Sequence, residues 1–227
     1  MTKPADGERK SRILVVDDHP LLREGVMQLI NRQRDLLACA EAASLTEAQA
    51  ALENGHPDLI LLDLRLGGGD VLEFIKASRA RFPKVRILIL SQHDEPLYAE
   101  RTLRAGASGY VIKEEAPGEV LTAIRVVLTG EVYISRKIAA LVLQRMVHQG
   151  QPDGATRLED LTDREFTIYQ LIGSGLTSRE IAEELKLSVK TVETHREHIK
   201  QKRGLRNATE LVRDATKWVT EHGVTQA

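Results

Sequence analysis

Ile13-Leu14-Val15-Val16-Asp17-Asp18-His19-Pro20 runs four apolar residues into two carboxylates and a proline. An apolar run without polar alternation suits a strand covered on both faces, as in a parallel sheet sandwiched between helices. Pro20 suits the first turn of a helix, so the strand passes through two acidic residues directly into a helical segment, 21–32. Leu59-Ile60-Leu61-Leu62 and Ile87-Leu88-Ile89-Leu90 repeat the pattern, and 36–40 and 110–112 are weaker strand candidates. Between them Ser44 and Glu47 form the signature of a capping box, and helical periods follow over 71–82, 95–105 and 117–128. Five strands alternating with five helices predict a doubly wound α/β domain with a parallel sheet, because parallel strands need crossover connections.

Such sheets place their ligands at the carboxyl ends of the strands. Asp17 and Asp18 follow the first strand, Asp63 the third, Ser91 the fourth and Lys113 the fifth. Each has an ordinary explanation: Asp18 as a helix cap, Asp63 in a turn, Ser91 as a strand-end hydroxyl, Lys113 as a surface charge. Jointly they point to chemistry. Three clustered carboxylates repel one another until a hard divalent cation joins them, and Mg²⁺ suits oxygen ligands. Beside Mg²⁺, Asp63 is placed to attack phosphorus in line, Lys113 to hold a phosphoryl oxygen and Ser91 to donate to another.

The motifs Val15-Val16-Asp17-Asp18-His19-Pro20, Leu61-Leu62-Asp63-Leu64, Leu90-Ser91 and Gly106-Ala107-Ser108-Gly109-Tyr110-Val111-Ile112-Lys113 resemble the receiver domain of two-component response regulators. The resemblance implies a flavodoxin-like fold over 12–130. It also implies Asp63 as phosphoacceptor, Mg²⁺ held by Asp17, Asp18, Asp63 and the backbone carbonyl of Arg65, and a switch shared by Ser91 and Tyr110. The sequence departs from the family at Gly67-Gly68-Gly69, read as turn glycines beside the site, and at Gln92, which is bulky for its position. Gln92 is expected to hinder the attacking water and lengthen the life of the phosphoryl group.

The helical stretch 135–148 and a polar, Gly- and Pro-bearing segment after it are read as a linker, 131–157. Beyond it the signals are helical only, over 163–174, 178–186, 189–202 and 208–220, which predicts an all-α four-helix domain, 158–222. Thr162 and Glu165 open the first of these helices, Thr177 the second and Ser188 the third. Between Lys186 and Arg206 there are seven Lys or Arg against two Glu, a net of +5 in a chain whose formal charge is −1. Two helices joined by a tight turn, the second of them basic, form a helix-turn-helix pattern.

Leu161-Thr162-Asp163-Arg164-Glu165, Gly175-Leu176-Thr177-Ser178-Arg179-Glu180-Ile181-Ala182 and Leu187-Ser188-Val189-Lys190-Thr191-Val192-Glu193-Thr194-His195 resemble the LuxR/FixJ/NarL-type domain. The resemblance implies that 189–202 is the recognition helix and 208–220 a dimerising helix. The expected DNA contacts are Thr177, Ser188, Lys190, Thr191, Val192, His195, Arg196 and Lys200. Val192 fits a thymine methyl and inward packing equally well. Arg203 stands where such domains carry leucine, either as a phosphate contact or with its aliphatic stem partly buried. His195 and His198 are not read as a metal pair, since no carboxylate–His–Cys set surrounds them in sequence.

The single Cys39 excludes an internal disulfide, and no apolar run approaches the roughly 18 residues that span a bilayer. The polar start of the chain predicts a cytoplasmic location. The expected function is a transcription regulator rather than an enzyme. Its expected partners are a histidine kinase, double-stranded DNA and, when phosphorylated, a second copy of itself. Two rivals are a Mg²⁺-dependent hydrolase, which leaves the second domain unexplained, and a constitutive DNA binder with the first domain as scaffold.

Overall fold

The computed structural model describes residues 9–64, 66, 69–91, 96–113, 117–148 and 158–221. Arg65, Gly67, Gly68, Gln92 and most of the expected polar linker lie outside them. By its contacts the chain divides into two units, Met1–Gly67 with Phe74–Asp94 and Thr102–Arg136, and Gly68–Glu73 with Glu95–Arg101 and Lys137–Ala227.

The first unit carries a parallel sheet of β1 (Ser11–Val16), β2 (Leu36–Ala42), β3 (Leu59–Asp63), β4 (Arg86–Ser91), β5 (Gly109–Ile112) and β6 (Tyr133–Ile134), in the order β2-β1-β3-β4-β5-β6. β6 corrects the expectation of five strands. It pairs in parallel with β5, and two residues are too few to carry a readable period. β6 also lies within the stretch read as linker.

Every residue of β3 and all but the first of β4 are buried, as an unbroken apolar run requires. Alternate residues serve opposite faces. Ile13, Val15, Leu59, Leu61, Leu88 and Leu90 join one core with Ile30 of α1 (Pro20–Asn31) and Val120, Ile124 and Val127 of α5 (Pro117–Thr129). Leu14, Val16, Ile60, Leu62, Ile87 and Ile89 are at most 1% exposed on the other face. Each such side chain contributes about 1.5–3 kcal/mol by leaving water.

Crossover helices α2 (Leu45–Gly55), α3 (Val71–Arg81) and α4 (Pro96–Ala105) complete the alternation. Ser44 caps α2 by accepting from the Glu47 N–H at 3.2 Å, while the Glu47 carboxylate accepts from the Ala43 N–H at 2.8 Å. Cys39 on β2 is half-buried, and burial raises its thiol pKa, which makes it an inert packing residue.

After α6 (Arg136–His148) and a short 3₁₀ turn, the second unit holds α7 (Asp163–Gly173), α8 (Ser178–Glu184), α9 (Val189–Lys202) and α10 (Ala208–Glu221). Thr162 and Thr177 both complete capping boxes, with Glu165 and Glu180. The turn from α8 to α9 places Lys186 in the left-handed region at φ 54°, and Leu187 N–H closes it by donating to Ala182 O at 2.9 Å.

Gly173, the last residue of α7, sits where α7 crosses α10. A Cβ there would lie 2.5 Å from Ala215 O and 2.4 Å from Val219 Cγ2, both on α10. Backbone meets backbone at this crossing, so no rotamer can relieve the clash. Gly173→Ala is expected to cost about 2–3 kcal/mol, roughly 10–20 °C in the melting of the helical unit. The chain's single tryptophan, Trp218 on α10, reports that transition by fluorescence. An unchanged melting temperature would refute the close approach.

Candidate functional site

At the carboxyl ends of the strands the first unit gathers Asp17, Asp18, His19 and Asp63, each with one potential ligand atom within 4.8 Å of the others. β1 delivers Asp17 and Asp18, β3 ends on Asp63, and β5 delivers Lys113 one residue past its end. The Lys113 ammonium donates to Asp17 Oδ2 and to Asp63 Oδ2, both at 2.7 Å. These three side chains are 7%, 4% and 2% exposed, whereas Asp18 is one-third exposed.

Asp17 is held from several sides. Its Oδ1 accepts from the His19 N–H at 2.8 Å, and its carbonyl accepts from Arg23 Nη1 at 2.6 Å. The His19 ring lies 2.7 Å from Asp18 Oδ1. Single-residue reading passed over His19 and Arg23. The Asp-His-Pro run was the available signal for His19, but nothing local marks Arg23 as the clamp on Asp17.

Asp17 and Asp63 share one ammonium and Asp18 stands beside them, so the cluster holds an excess of negative charge in a mostly buried place. A hard cation offsets that excess, and the donors are carboxylate oxygens of the kind Mg²⁺ prefers. Ser91, at the end of β4, is 2% exposed, and Tyr110 on β5 is fully buried. Adjacent registers place Ser91 opposite Ile112, the residue before Lys113, and Asp63 opposite Leu90, the residue before Ser91. Asp63, Ser91 and Lys113 thus come from three neighbouring strand ends. Arg65, whose carbonyl was expected to join them, lies outside the described residues.

In the second unit, Ser188 caps α9 and accepts from the Thr191 N–H at 3.0 Å. Thr177, Ser188 and Lys190 are exposed, and Thr191 is half-buried. Val192 is fully buried with Ile199 on the inner face of α9. That corrects its inclusion among the DNA contacts, since a side chain packed into the core cannot reach a base. Arg196 and Lys200 are 13% and 17% exposed and pair along the helix with Glu193 and Glu197. Such i,i+3 pairs contribute only a few tenths of a kcal/mol, so exchanging the carboxylate for a phosphate costs little.

Arg203 has the partly buried side chain that was one of its two expected readings, 19% exposed, and its charge is taken up inside the unit. Its guanidinium donates to both oxygens of Asp214 at 3.0–3.1 Å, and the Tyr169 hydroxyl donates to the same carboxylate at 2.8 Å. Burial and the Asp214 carboxylate together raise the Tyr169 pKa, so the phenol stays protonated as a donor. This fork ties the end of α9 to α10.

His195 is half-buried on α9. Burial lowers its pKa, with help from His198 and Arg164 and against Glu165, which favours the neutral imidazole. The carboxylate that sequence spacing failed to supply is Glu165, brought in by α7. It lies with His195 and His198 in a group whose ligand atoms fall within 4.8 Å of one another.

Residues 13–125 match the response regulator receiver domain, and residues 159–215 match the bacterial regulatory proteins of the luxR family. The oxygen regulatory protein NreC of Staphylococcus epidermidis is 35% identical over 212 residues, 91% of this chain and 97% of that protein. NreC of Staphylococcus aureus is 37% identical over 211 residues with the same coverage, 91% and 97%.

Among solved structures, a two-component response regulator of the LuxR family from Aurantimonas sp. is 37% identical, with a TM-score of 0.59 over 61% of this chain and 99% of that one. RcsB from Salmonella enterica serovar Typhimurium, bound to promoter P1flhDC in the presence of phosphomimetic BeF3⁻, shares the fold. It has a TM-score of 0.70 over 92% of this chain and 100% of that one, at 22% identity. An acidic crevice at the ends of a parallel sheet and a capped helix-turn-helix, each inside its family match, place the chain in the two-component response regulators of the LuxR/NarL type, which are phosphorylation-dependent DNA-binding transcription regulators and not enzymes.

Proposed function

We propose that Asp63 accepts a phosphoryl group from a histidine kinase and that the resulting change in charge favours a dimer whose paired α9 helices bind double-stranded DNA. The single observation that carries this reading is the position of Asp63, at a strand end with Asp17 and Asp18 while sharing the Lys113 ammonium with Asp17. In the transfer, an Asp63 oxygen forms a bond to phosphorus as the donor's bond to phosphorus breaks, leaving an acyl phosphate. The donor's leaving group departs with that electron pair.

Lys113 has a donor ready for a phosphoryl oxygen, and Ser91 supplies a hydroxyl one strand away. Asp17, Asp18 and Asp63 would hold Mg²⁺, which when bound neutralises phosphoryl oxygens. Ser91 and Tyr110 then form the switch: a hydroxyl drawn to the new phosphoryl group leaves room that the buried Tyr110 ring fills. Thr177, Ser188, Lys190, Thr191, Arg196 and Lys200 are the proposed DNA contacts, with phosphate recognition favoured at the capped start of α9.

A kinase needs a docking surface close to Asp63. An apolar cavity of about 340 Å³, lined by Leu22, Val26, Leu29, Leu90, Pro117 and Val120, adjoins Lys113 between α1 and α5. Leu21 also lines it and is 86% exposed. No helix among the described residues is long and apolar enough to cross a membrane. A cytoplasmic location, where kinase domains and DNA are both present, belongs to the same proposal.

The test is incubation of the full chain with acetyl phosphate and Mg²⁺, followed by intact mass measurement. One phosphoryl adduct is expected, absent when a chelator replaces Mg²⁺. A chain that gains no adduct would favour a scaffold role for the receiver, and turnover of phosphate esters would favour a hydrolase.

A further inference from the structure

Glu165, His195 and His198 come from two helices that the sequence separates by some thirty residues, and the fold brings them to one place. Glu165 is the third residue of α7 and 3% exposed. Its Oε2 is committed, accepting from the Thr162 N–H at 2.8 Å and from Lys202 Nζ at 2.7 Å. Its Oε1 is the oxygen turned to the histidines, 3.8 Å from His198 Nδ1. Burial alone would raise the Glu165 carboxyl, but the bonds from Lys202 and Thr162 outweigh it and hold it below the ordinary value. It is an anion at neutral pH.

His195 and His198 stand three residues apart on α9, so their rings lie on one helix face, 6.5 Å apart between centroids and nearly perpendicular. His195 Nδ1 is shut off from solvent and makes no hydrogen bond among the described residues. A buried imidazole nitrogen without a partner is costly in a folded domain and calls for an explanation.

We propose that Glu165 Oε1, His195 and His198 form a binding site for a divalent transition metal of borderline softness, Zn²⁺ above all. Two imidazole nitrogens and one carboxylate oxygen suit Zn²⁺, Ni²⁺ and Cu²⁺ and discriminate against Mg²⁺ and Ca²⁺. Bonds of about 2.0–2.1 Å to a tetrahedral ion bring neighbouring donors to roughly 3.3 Å from one another. The donors already lie within 4.8 Å, and the half-exposed His198 ring makes the required adjustment by rotating. The fourth position faces water or a ligand from outside.

Two cations oppose the ion, Lys202 on the far oxygen of Glu165 and Arg164, which acts on His195. The site is therefore weaker than the structural zinc centres that hold whole domains together. Its consequence is mechanical, since the ion bridges α7 to the middle of α9 and occupies a histidine next to Arg196. None of this depends on phosphoryl chemistry in the other unit.

The experiment is calorimetric titration of the full chain with Zn²⁺ in excess Mg²⁺, which competes for the carboxylates of Asp17, Asp18 and Asp63, together with thermal melting read by Trp218. His198→Ala is the main variant, because an exposed ring is removed without touching the capping box; His198→Cys keeps a ligand atom. Wild type is expected to bind one Zn²⁺ and to melt higher with it. His198→Ala should bind at least about tenfold more weakly, and His198→Cys should regain affinity. Equal Zn²⁺ affinity in wild type and His198→Ala would overturn the proposal, as would no binding by wild type. Phosphoryl labelling of His198→Ala should match wild type, so a failure here stays separate from a failure at Asp63.

Discussion

Asp63→Ala is expected to fold normally and to lose all response of DNA binding to phosphodonor. In wild type, coupling between a modified site and a distant binding surface amounts to about 1–3 kcal/mol, so acetyl phosphate with Mg²⁺ should tighten DNA binding roughly 5–150-fold. In the variant the ratio of affinities with and without phosphodonor should be one. The fold survives because Lys113 keeps its 2.7 Å bond to Asp17 when Asp63 is removed, and because one like charge leaves a crowded acidic cluster. The measurement is a DNA titration at fixed ionic strength, since phosphate contacts make affinity steeply salt-dependent. An undiminished response in Asp63→Ala would remove Asp63 from the switch while leaving the DNA-binding domain untouched.

Lys113→Ala should behave in the opposite way, damaging the fold before it damages the signal. Lys113 is the counter-ion shared by Asp17 and Asp63, whose side chains are 4% and 2% exposed. Removing one partner from a buried ion pair typically costs about 3–5 kcal/mol, because the remaining charge stays out of water. The receiver should therefore melt roughly 10–20 °C lower in the absence of divalent cation. Mg²⁺ should restore much of that loss, and it should bind the variant more tightly than wild type, since a competing positive charge has gone. Calorimetric melts across a Mg²⁺ series check both statements. A variant that melts like wild type without Mg²⁺ would show that the ammonium does not neutralise the pair.

The contrast between these two substitutions depends on partners that lie far apart in the chain. Asp17 and Lys113 are 96 positions apart, and Asp63 and Lys113 are 50 apart. The sequence places all of them at strand ends, because apolar runs stop where each begins. It cannot say which oxygen the ammonium reaches, or that His19 and Arg23 brace Asp17. Those facts depend on how adjacent strands register, as with Ser91 beside Ile112.

The helical unit draws the same line. Thr162, Thr177 and Ser188 were legible as caps because a cap and its partner lie within four residues, and each makes the bond its spacing predicts. Val192 was not legible. Its sequence environment fits either face of α9, and only packing against the rest of the unit places it inside, fully buried. Arg203 fitted a phosphate contact or a partly buried stem, and only its meeting with Asp214 and Tyr169 shows where its charge goes.

By itself the sequence determined the alternation of buried strands and crossover helices, the ends of most helices, the acidic residues at the strand ends and the basic helix α9. All of these are set by interactions within a few residues or by the period of the apolar positions. Tertiary structure alone decided the sixth strand, the Gly173 crossing, the fork on Asp214 and the meeting of Glu165 with His195 and His198. Each of those depends on two segments touching, and local spacing carries no information about which distant segment will be the neighbour.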